Sequence, residues 1–408
     1  MKLMKAMLGA TALCAAGAAG ATDLEVTHWW TSGGEAAAVA ELAKAFDASG
    51  DHWVDGAIAG SGGTARPIII SRILGGDPMG ATQLNHGRQA EELIEAGLML
   101  DLTDVAEANN WAEVVRPKSL LDACTLDGKI YCAPVNIHSW QWMWLSNKAF
   151  ADAGVDVPTN WDEFVAAAPK LQEAGIVPLA VGGQPWQKNG AFGVMTVAIA
   201  GLEPWLAVTR DKDESVAAGP DYAKVFQAAV QAREFAKDSN VQDWNQATNM
   251  VITGKAGAQI MGDWAQGEFQ VAEQVAGEDY TCLPGLGVNE LIDTAGDAFY
   301  FPKQDDAEIE AAQKKLAALL IAPETQVAFN LKKGSLPVRA DVDLAAANDC
   351  MKKGLAILDA GGVLPSGDML LTPDTQGQIE DLMSEFWSTD MSAEDAQEQY
   401  AAIIADAD

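Results

Sequence analysis

The sequence predicts an α/β protein made of two lobes, whose mostly parallel sheets are joined by several crossings of the chain. Patterns of strand, glycine-containing loop and helix follow one another three times near the N-terminus. A second α/β set follows an extended, tryptophan-rich segment. No low-complexity linker, charge block or fixed repeat separates the two sets. Two lobes joined by several crossings therefore explain the chain better than two domains in a row.

The first three units place their loops at one edge of the predicted sheet. Each unit combines a short apolar run, a loop of Gly and polar residues, and apolar residues at helical spacing. Because the strands of repeated β-loop-α units run parallel, a ligand is expected at the carboxyl ends of the strands. The strand, loop and helix of each unit are residues 24–27, 28–34 and 39–46; 54–59, 60–63 and 69–74; and 81–84, 85–87 and 89–96.

The rest of the chain supplies the second set of elements. Residues 129–145 are predicted to be extended, because Trp140, Trp142 and Trp144 alternate with Gln141 and Met143. We predict that lobe 1 comprises residues 22–135 and 297–340, and that lobe 2 comprises residues 136–296 and 341–408. The other predicted elements are helices over 161–174, 222–237, 264–275 and 307–320, a strand over 256–261, an extended crossing over 297–302, and mainly helix from 345 onward.

The N-terminus predicts a secretory signal peptide over residues 1–21. Lys2 and Lys5 precede an uncharged stretch, and Ala19-Gly20-Ala21 offers the small residues that a signal peptidase accepts. The uncharged stretch is shorter than the roughly 20 residues that cross a bilayer. The mature chain is therefore expected to be exported.

The charge balance excludes some classes of partner. The chain has 26 Lys and Arg against 58 Asp and Glu, a net charge of −32 at pH 7. Such a surface repels nucleic acid and anionic lipid headgroups. Acidity also keeps an exported protein soluble, so it identifies no ligand.

Four cysteines remain in the mature chain, and an even number in an oxidising compartment favours disulfides. Cys124 and Cys132 flank a short turn that could close a hairpin, which leaves Cys282 to pair with Cys350. The sequence alone permits three connectivities. No Cys or His spacing typical of a metal site competes with this interpretation.

The loops contain aromatic residues beside polar ones, which is the combination that a sugar requires. A pyranose has an apolar C–H face and a hydroxyl-bearing edge, so an indole beside fixed polar groups matches both. A single loop Trp more often covers the core, but several beside carboxylates and amides favour a binding site. The loop tryptophans are Trp29, Trp30, Trp186 and Trp264.

Ionised and amide side chains in the same regions are candidates for binding hydroxyls. Charge-assisted hydrogen bonds are worth about 1.5 to 3 kcal/mol each, so three or four could yield micromolar binding. Each also has a structural interpretation; Glu35, for example, could be a helix N-terminal acid. The candidates are Glu35, Gln83, His86, Asn136, Asp297, Lys333 and Asp368.

Catalytic motifs are absent from the sequence. It contains no H-E-x-x-H, no G-x-S-x-G and no phosphate-binding loop of the Walker type. Paired acids of a secreted glycosidase remain an alternative, because 58 carboxylates always offer some pair. We expect a binding protein that uses neither a metal nor a cofactor.

The chain resembles the extracellular solute-binding proteins of family 1, and within them the glucose- and mannose-binding type, over essentially all of the mature sequence. The run from His28 to Glu35 is the narrowest signature, whereas Gly-Lys-Ala followed by Gly-Asp-Trp is shared with maltose-binding relatives. The segments that carry the resemblance are residues 28–35, 134–138, 182–186, 252–264 and 333–339.

The resemblance implies a periplasmic-binding-protein fold that holds sugar between lobes closing about a hinge. It also implies delivery to the permease of an ABC importer, by a protein that works singly in the periplasm. Near the C-terminus, such glucose-binding relatives carry a His where this chain has Asp368, an acceptor in place of a switchable donor, which would change which hydroxyl is recognised. A disaccharide, polyol or other solute is therefore the alternative to glucose. By the resemblance, Trp30 and Trp264 pack on the sugar ring with Trp29 close by, and Glu35, Gln83, His86, Asn136, Asp297 and Lys333 hold hydroxyls.

Overall fold

The computed structural model describes residues 20–407. All but the last two residues of the predicted signal peptide lie outside this range. The strands within it are β1 Asp23–His28, β2 His52–Ala57, β3 Ala81–Asn85, β4 Thr125–Leu126, β5 Lys129–Ile130, β6 Cys132–Pro134, β7 Trp142–Ser146, β8 Val177–Leu179, β9 Ala256–Ile260, β10 Tyr280–Pro284, β11 Ile292–Asp293, β12 Asp297–Tyr300 and β13 Val363–Leu364.

Helices connect and cover these strands, and no helix of residues 20–407 is long and apolar enough to cross a membrane. The helices are α1 Gly33–Ala48, α2 Ser61–Leu74, α3 Glu91–Glu95, α4 Thr103–Ala108, α5 Trp111–Val114, α6 Lys118–Ala123, α7 Asn147–Asp152, α8 Trp161–Glu173, α9 Pro185–Ile199, α10 Leu202–Thr209, α11 Glu214–Ala217, α12 Pro220–Ala236, α13 Trp244–Ile252, α14 Ala265–Val271, α15 Ala307–Leu320, α16 Pro323–Lys333, α17 Asp349–Asp359, α18 Gly367–Leu370, α19 Pro373–Ser388 and α20 Ala393–Ala405.

Two large sheets form the centres of the two lobes. The first has the order β2-β1-β3-β12-β6 and the second the order β10-β7-β9-β8. In the first sheet β12 runs antiparallel to both neighbours, and in the second β7 does. The other strands of each sheet share one direction, because the remaining neighbouring pairs are parallel. The prediction of two lobes with mostly parallel sheets is therefore confirmed, with one reversed strand in each sheet.

The chain passes between the two sheets three times, and the three segments lie side by side. We name residues 135–141 the first crossing, residues 285–296 the second and residues 334–348 the third. Ile137 and Leu336 exchange two backbone hydrogen bonds of 2.7 and 2.9 Å, and the amide of His138 donates to the carbonyl of Ala295 at 3.0 Å. The first crossing therefore lies between the other two, as in the predicted multi-strand hinge. The predicted residue boundaries of the lobes stay a prediction.

Helix α14 belongs to the second set of elements but packs against the first. Gly34 in α1 approaches Gly267 in α14 so closely that a Cβ atom at Gly34 would lie 2.4 Å from the carbonyl carbon of Gly267. Glu268 fixes the contact, since its carboxylate accepts a hydrogen bond from the Gly34 amide at 2.7 Å. The start of α1 is thus attached to the segment that carries Trp264.

Both predicted disulfides are present in the structure. Cys124 is bonded to Cys132 and closes the hairpin of β4 and β5. Cys282 is bonded to Cys350, which joins β10 to α17 across 68 positions of sequence. The pairing favoured by the sequence is confirmed.

Candidate functional site

A cavity of about 410 Å³ lies between the two sheets and is lined from both. From the first sheet come the loop after β1, the start of α2 and the loop after β3. These are the carboxyl ends of parallel strands, where the sequence predicted a ligand. The first crossing, the start of α9 and the loop before α14 contribute the opposite wall.

Three indoles form one wall of the cavity. The ring of Trp140 lies edge-on to Trp264, with centroids 5.0 Å apart, and edge-on to Trp186 at 5.6 Å. Gly262 and Gly190 leave the space for these rings, because a Cβ atom would lie 2.1 Å from the ring of Trp264 and 2.2 Å from that of Trp140. The rings are therefore fixed by packing, which lowers the entropy that a ligand must remove.

Polar groups hold the indole wall in place. The indole N–H of Trp186 donates to Oε1 of Gln184 at 2.9 Å. The same oxygen accepts from the hydroxyl of Ser61, at the start of α2, at 3.3 Å. Gln184 follows the second sheet and Ser61 the first, so this hydrogen bond spans the cavity between the two lobes.

A buried ion pair lies on the other side of the cavity. The ammonium of Lys333 donates to Glu35 at 2.7 Å, and the Lys333 residue is only 2% exposed. The second carboxylate oxygen of Glu35 accepts from the hydroxyl of Ser32 at 3.2 Å. Glu35 also lies in the first turn of α1, so the ion pair anchors the start of that helix to the end of α16.

Asp297 accepts hydrogen bonds from three side chains at the hinge. Gln83 donates at 2.7 Å, Asn136 at 3.0 Å and the ring of His138 lies 3.1 Å away. Burial alone would raise the pKa of Asp297, but the charge and hydrogen bond of His138 and the charge of Lys333 lower it well below 3.8. Asp297 is thus held as a carboxylate, an acceptor pointing at the cavity that it lines.

A second buried carboxylate positions Trp140. Asp293 accepts from the backbone amide of Trp140 at 2.6 Å and from the hydroxyl of Ser139 at 2.8 Å. Burial raises the pKa of Asp293, although both hydrogen bonds oppose the shift. A carboxyl group on the second crossing therefore orients an indole on the first.

Seven of the ten predicted site residues line the cavity together, and three lie behind it. Trp30 is 1% exposed and packs between Phe299 and Phe329, so little of its ring is available for stacking. Gln83 and Asn136 use their amides on Asp297. Those that line the cavity are Trp29, Trp30, Glu35, Trp264, Asp297, Lys333 and Asp368, and those behind it are Gln83, His86 and Asn136.

His86 is buried below the second crossing, and neither ring nitrogen has a hydrogen-bond partner among residues 20–407. A Cβ atom at Gly296 would lie 2.6 Å from Nε2 of His86, so the crossing passes directly over the ring. Burial, and then the charge of His138, lower the pKa of His86 to about 4. Asp368, another of the predicted hydroxyl-binding residues, accepts a hydrogen bond from the side-chain amide of Asn85 at 2.9 Å.

The family model for bacterial extracellular solute-binding proteins matches residues 30–327 of the chain. The chain belongs to this family. A probable sugar-binding periplasmic protein of Rhizobium meliloti (strain 1021) is 37% identical over 350 residues, covering 85% of this chain and 84% of that one.

Solved structures share the fold of this solute-binding protein. A chitin oligosaccharide binding protein superposes with a TM-score of 0.77 at 21% identity, covering 95% of this chain and 99% of the other. The bacterial solute receptor AcbH, described as exclusively preferring β-D-galactopyranose, gives the same TM-score and identity over 94% of this chain and 98% of its own. These likenesses confirm the periplasmic-binding-protein-like fold that the sequence predicted.

Sequence reasoning missed several residues that line the cavity of this solute-binding protein. Trp140 was assigned to an alternating strand, but the structure separates it from Trp142 and Trp144, which are stacked in the core 5.8 Å apart. A signal was present for Trp140, since it lies in the predicted extended segment 129–145, which spans the predicted boundary between the lobes, whereas Asp293 lies before the predicted crossing over 297–302. Arg66 was not considered, because it falls between the predicted loop at 60–63 and the predicted helix at 69–74. In the structure it lies inside α2 and lines the cavity.

Proposed function

We propose that this protein captures a sugar in the cavity between its lobes and delivers it to the permease of an ABC importer. One observation carries the proposal: a packed indole wall and ionised side chains face a single cavity from opposite lobes. The indoles offer apolar surface for C–H groups, and the carboxylates and Lys333 offer hydrogen bonds for hydroxyls. A sugar needs both surfaces at once.

The two sides of the cavity take different parts in binding. Trp264 and Trp140 provide the apolar surface, with Trp29 opposite them on the loop after β1. Glu35 and Asp297 accept hydrogen bonds from hydroxyls. Gln83 and Asn136 act through Asp297, because their amides fix the orientation of its carboxylate. Since these acceptors are already oriented, little reorganisation opposes binding.

A monosaccharide such as glucose, or a close relative, is the proposed cargo. The volume of about 410 Å³ falls within the roughly 300 to 1,000 Å³ of small-molecule sites. A disaccharide, polyol or other solute is the alternative. Of the two structural relatives named above, one is named for an oligosaccharide and the other is described with a monosaccharide. Asp368 is an acceptor only, so it favours a sugar that presents a hydroxyl proton at that position.

Transport follows from closure of the lobes about the three crossings. In an open form one lobe holds the sugar, and the closed form is selected by contacts that the second lobe adds. The hydrogen bond between Ser61 and Gln184 is one contact that only a closed form can make. We propose that the protein acts as a monomer in the periplasm, after removal of residues 1–21.

The proposal is tested by titrating sugars while following tryptophan fluorescence and the heat of binding. We expect a saturable response, and Trp264→Ala should weaken binding at least tenfold because it removes one of the three indoles of the wall and loosens the packing of Trp140. Val271→Ala, an exposed position on the adjacent helix, is the matched control and should leave affinity unchanged. If Trp264→Ala bound sugar with unchanged affinity, Trp264 would have no stacking role.

Two further measurements identify the cargo and separate binding from catalysis. Mass spectrometry of the ligand released from denatured, freshly purified protein names the sugar. Incubation with glycosides should return them intact, whereas a glycosidase would release product.

A further inference from the structure

Lobe 2 carries a second, smaller pocket beside the loop that positions Gln184 and Trp186. It encloses about 190 Å³ and lies where that loop meets the end of α12 and the end of α19. A water molecule occupies roughly 30 Å³ of the liquid, so the space admits a small oxyanion or carboxylate. None of its lining residues lines the cavity between the lobes.

The pocket is lined by three cations and by no carboxylate. Lys188, Arg233 and Lys237 line it. The acidic neighbours of the last two in sequence, Glu234 and Asp238, are exposed, as Lys237 is, but line no part of the pocket. None of the three cations forms a salt bridge within residues 20–407. The chain has 58 acidic and only 26 basic side chains, so three cations without carboxylate partners at one pocket depart from its overall negative charge.

Arg233 is held in place with unused donors. Its Nη1 donates to the carbonyls of Phe386 and Met391 at 2.8 and 2.9 Å, and the guanidinium lies 4.6 Å from the ring centroid of Phe386. Within residues 20–407, Nε and Nη2 donate to no acceptor. A fixed guanidinium with free N–H groups is suited to the paired oxygens of an oxyanion.

Two more donors without acceptors border the pocket. Burial lowers the pKa of Lys188, and no carboxylate counteracts this shift. The indole N–H of Trp387 is buried without a partner within residues 20–407. Buried donors are normally bonded, so the Trp387 N–H indicates a partner that residues 20–407 do not supply.

We propose that this pocket is a binding site for a small free oxyanion, of the phosphate, sulfate or carboxylate class, distinct from the cavity between the lobes. Arg233 binds two oxygens, and Lys188 and Lys237 add charge from either side. The surrounding negative charge keeps anionic surfaces away, so a small diffusible anion is favoured over a membrane headgroup.

Calorimetric titration of the full-length mature protein with inorganic phosphate, sulfate and acetate tests the site. We expect saturable binding of at least one of them with one-to-one stoichiometry, in the absence of sugar. Lys188→Gln and Lys237→Gln should each weaken it about tenfold. Lys170→Gln changes a side chain of the same lobe that is 57% exposed and outside the pocket, and should leave it unchanged.

The outcomes separate a built site from other sources of anion binding. No saturable heat up to on the order of 10 mM of any of the three anions would overturn the proposal. The proposal would also be overturned if Lys170→Gln weakened anion binding as much as the two pocket variants do. Binding would then reflect attraction of the anion to surface charge in general. Vesicles of phosphatidylglycerol should not bind more than vesicles of phosphatidylcholine; binding to the former without binding of free anions would contradict a site for a diffusible ligand. Sugar affinity of the variants is measured separately and is expected not to change.

Discussion

Individual residues of the site depend on partners that are far away in sequence. Lys333 is buried and its ammonium donates to Glu35, 298 positions earlier in the chain. Removing one member of a buried pair costs far more than removing an exposed pair, because the other charge is left without a partner. The ion pair is therefore a point at which binding and stability are linked.

Glu35→Gln should lower the free energy of unfolding by about 3 kcal/mol, because Lys333 stays buried without its carboxylate. The measurement is urea denaturation followed by circular dichroism. Glu41→Gln lies on the same helix, where Glu41 pairs with Lys44, a side chain that is 78% exposed. That control should change stability by about 0.5 kcal/mol or less. If the two variants lost equal free energy of unfolding, the buried ion pair would contribute no more to stability than the exposed one.

His86 should make the protein less stable in mild acid. Its pKa of about 4 in the folded protein lies below the ordinary 6.5, so the stabilisation is complete above about pH 6.5 and is lost as the pH falls towards 4. The shift corresponds to about 3 kcal/mol at most. In His86→Gln the slope of unfolding free energy against pH should be shallower over this range. His52→Gln, at a side chain that is 59% exposed, should keep the slope of the unmodified protein.

At this scale the sequence indicated which residues gather at the site but not what each one contacts. Gln83 and Asn136 were expected to hold hydroxyls, whereas their amides are used on Asp297. A motif fixes the position of a polar side chain in the fold, but its hydrogen-bond partner depends on a segment more than a hundred residues away. The roles of these residues towards sugar stay predictions.

At the scale of elements, glycine determines how closely α1 and α14 approach. Gly34→Ala should lower the free energy of unfolding by about 2 kcal/mol, because the new methyl group would meet the backbone of Gly267, which cannot move aside as a side chain could. Sugar affinity should fall with it, since Glu35 and Trp264 lie next to the contact. The measurements are urea denaturation and fluorescence titration.

The control for this prediction is another helical glycine. Gly377→Ala in α19 places its methyl group in open space and should stabilise the protein by about 0.5 to 1 kcal/mol, since Ala restricts the unfolded chain. If both variants were stabilised, the close approach of α1 and α14 would not restrict the size of the side chain at position 34.

Element types were predicted more accurately than element ends. Helix α2 begins at Ser61, inside the run of glycines that was expected to be a loop, and Ser61 adopts a positive φ of 67°. Helix α14 ends at Val271 and not at 275, because Glu273 has a φ of 57° that interrupts the helix. Apolar spacing identifies the body of a helix, whereas its ends depend on single backbone conformations that spacing does not report.

The whole molecule is stabilised unequally by its two disulfides. By chain entropy, a bond closing a loop of 68 residues should contribute about 4.4 kcal/mol and one closing 8 residues about 2.5 kcal/mol. Replacing Cys282 and Cys350 by Ser should therefore lower the free energy of unfolding by about 2 kcal/mol more than replacing Cys124 and Cys132. Chemical denaturation under non-reducing conditions measures both; the reverse order would contradict the entropic account.

The two-lobed plan was predictable from the order of strands, loops and helices, because repeated units leave few arrangements. The reversed strands β7 and β12 were not, since a strand's direction depends on where the chain returns from the other lobe. The indole wall was found only in part for the same reason. Trp140 joins Trp264 because the first crossing brings it there, not because of its neighbours in sequence.

The three side-by-side crossings determine how the molecule would come apart if it were cut. A protease that nicked any one of them would leave the lobes tethered by the other two, so the nicked protein should elute from gel filtration as one particle. A denaturing gel without reductant would then distinguish the sites. Fragments cut within 285–296 or 334–348 would stay together, because both segments lie between Cys282 and Cys350, whereas fragments cut within 135–141 would separate.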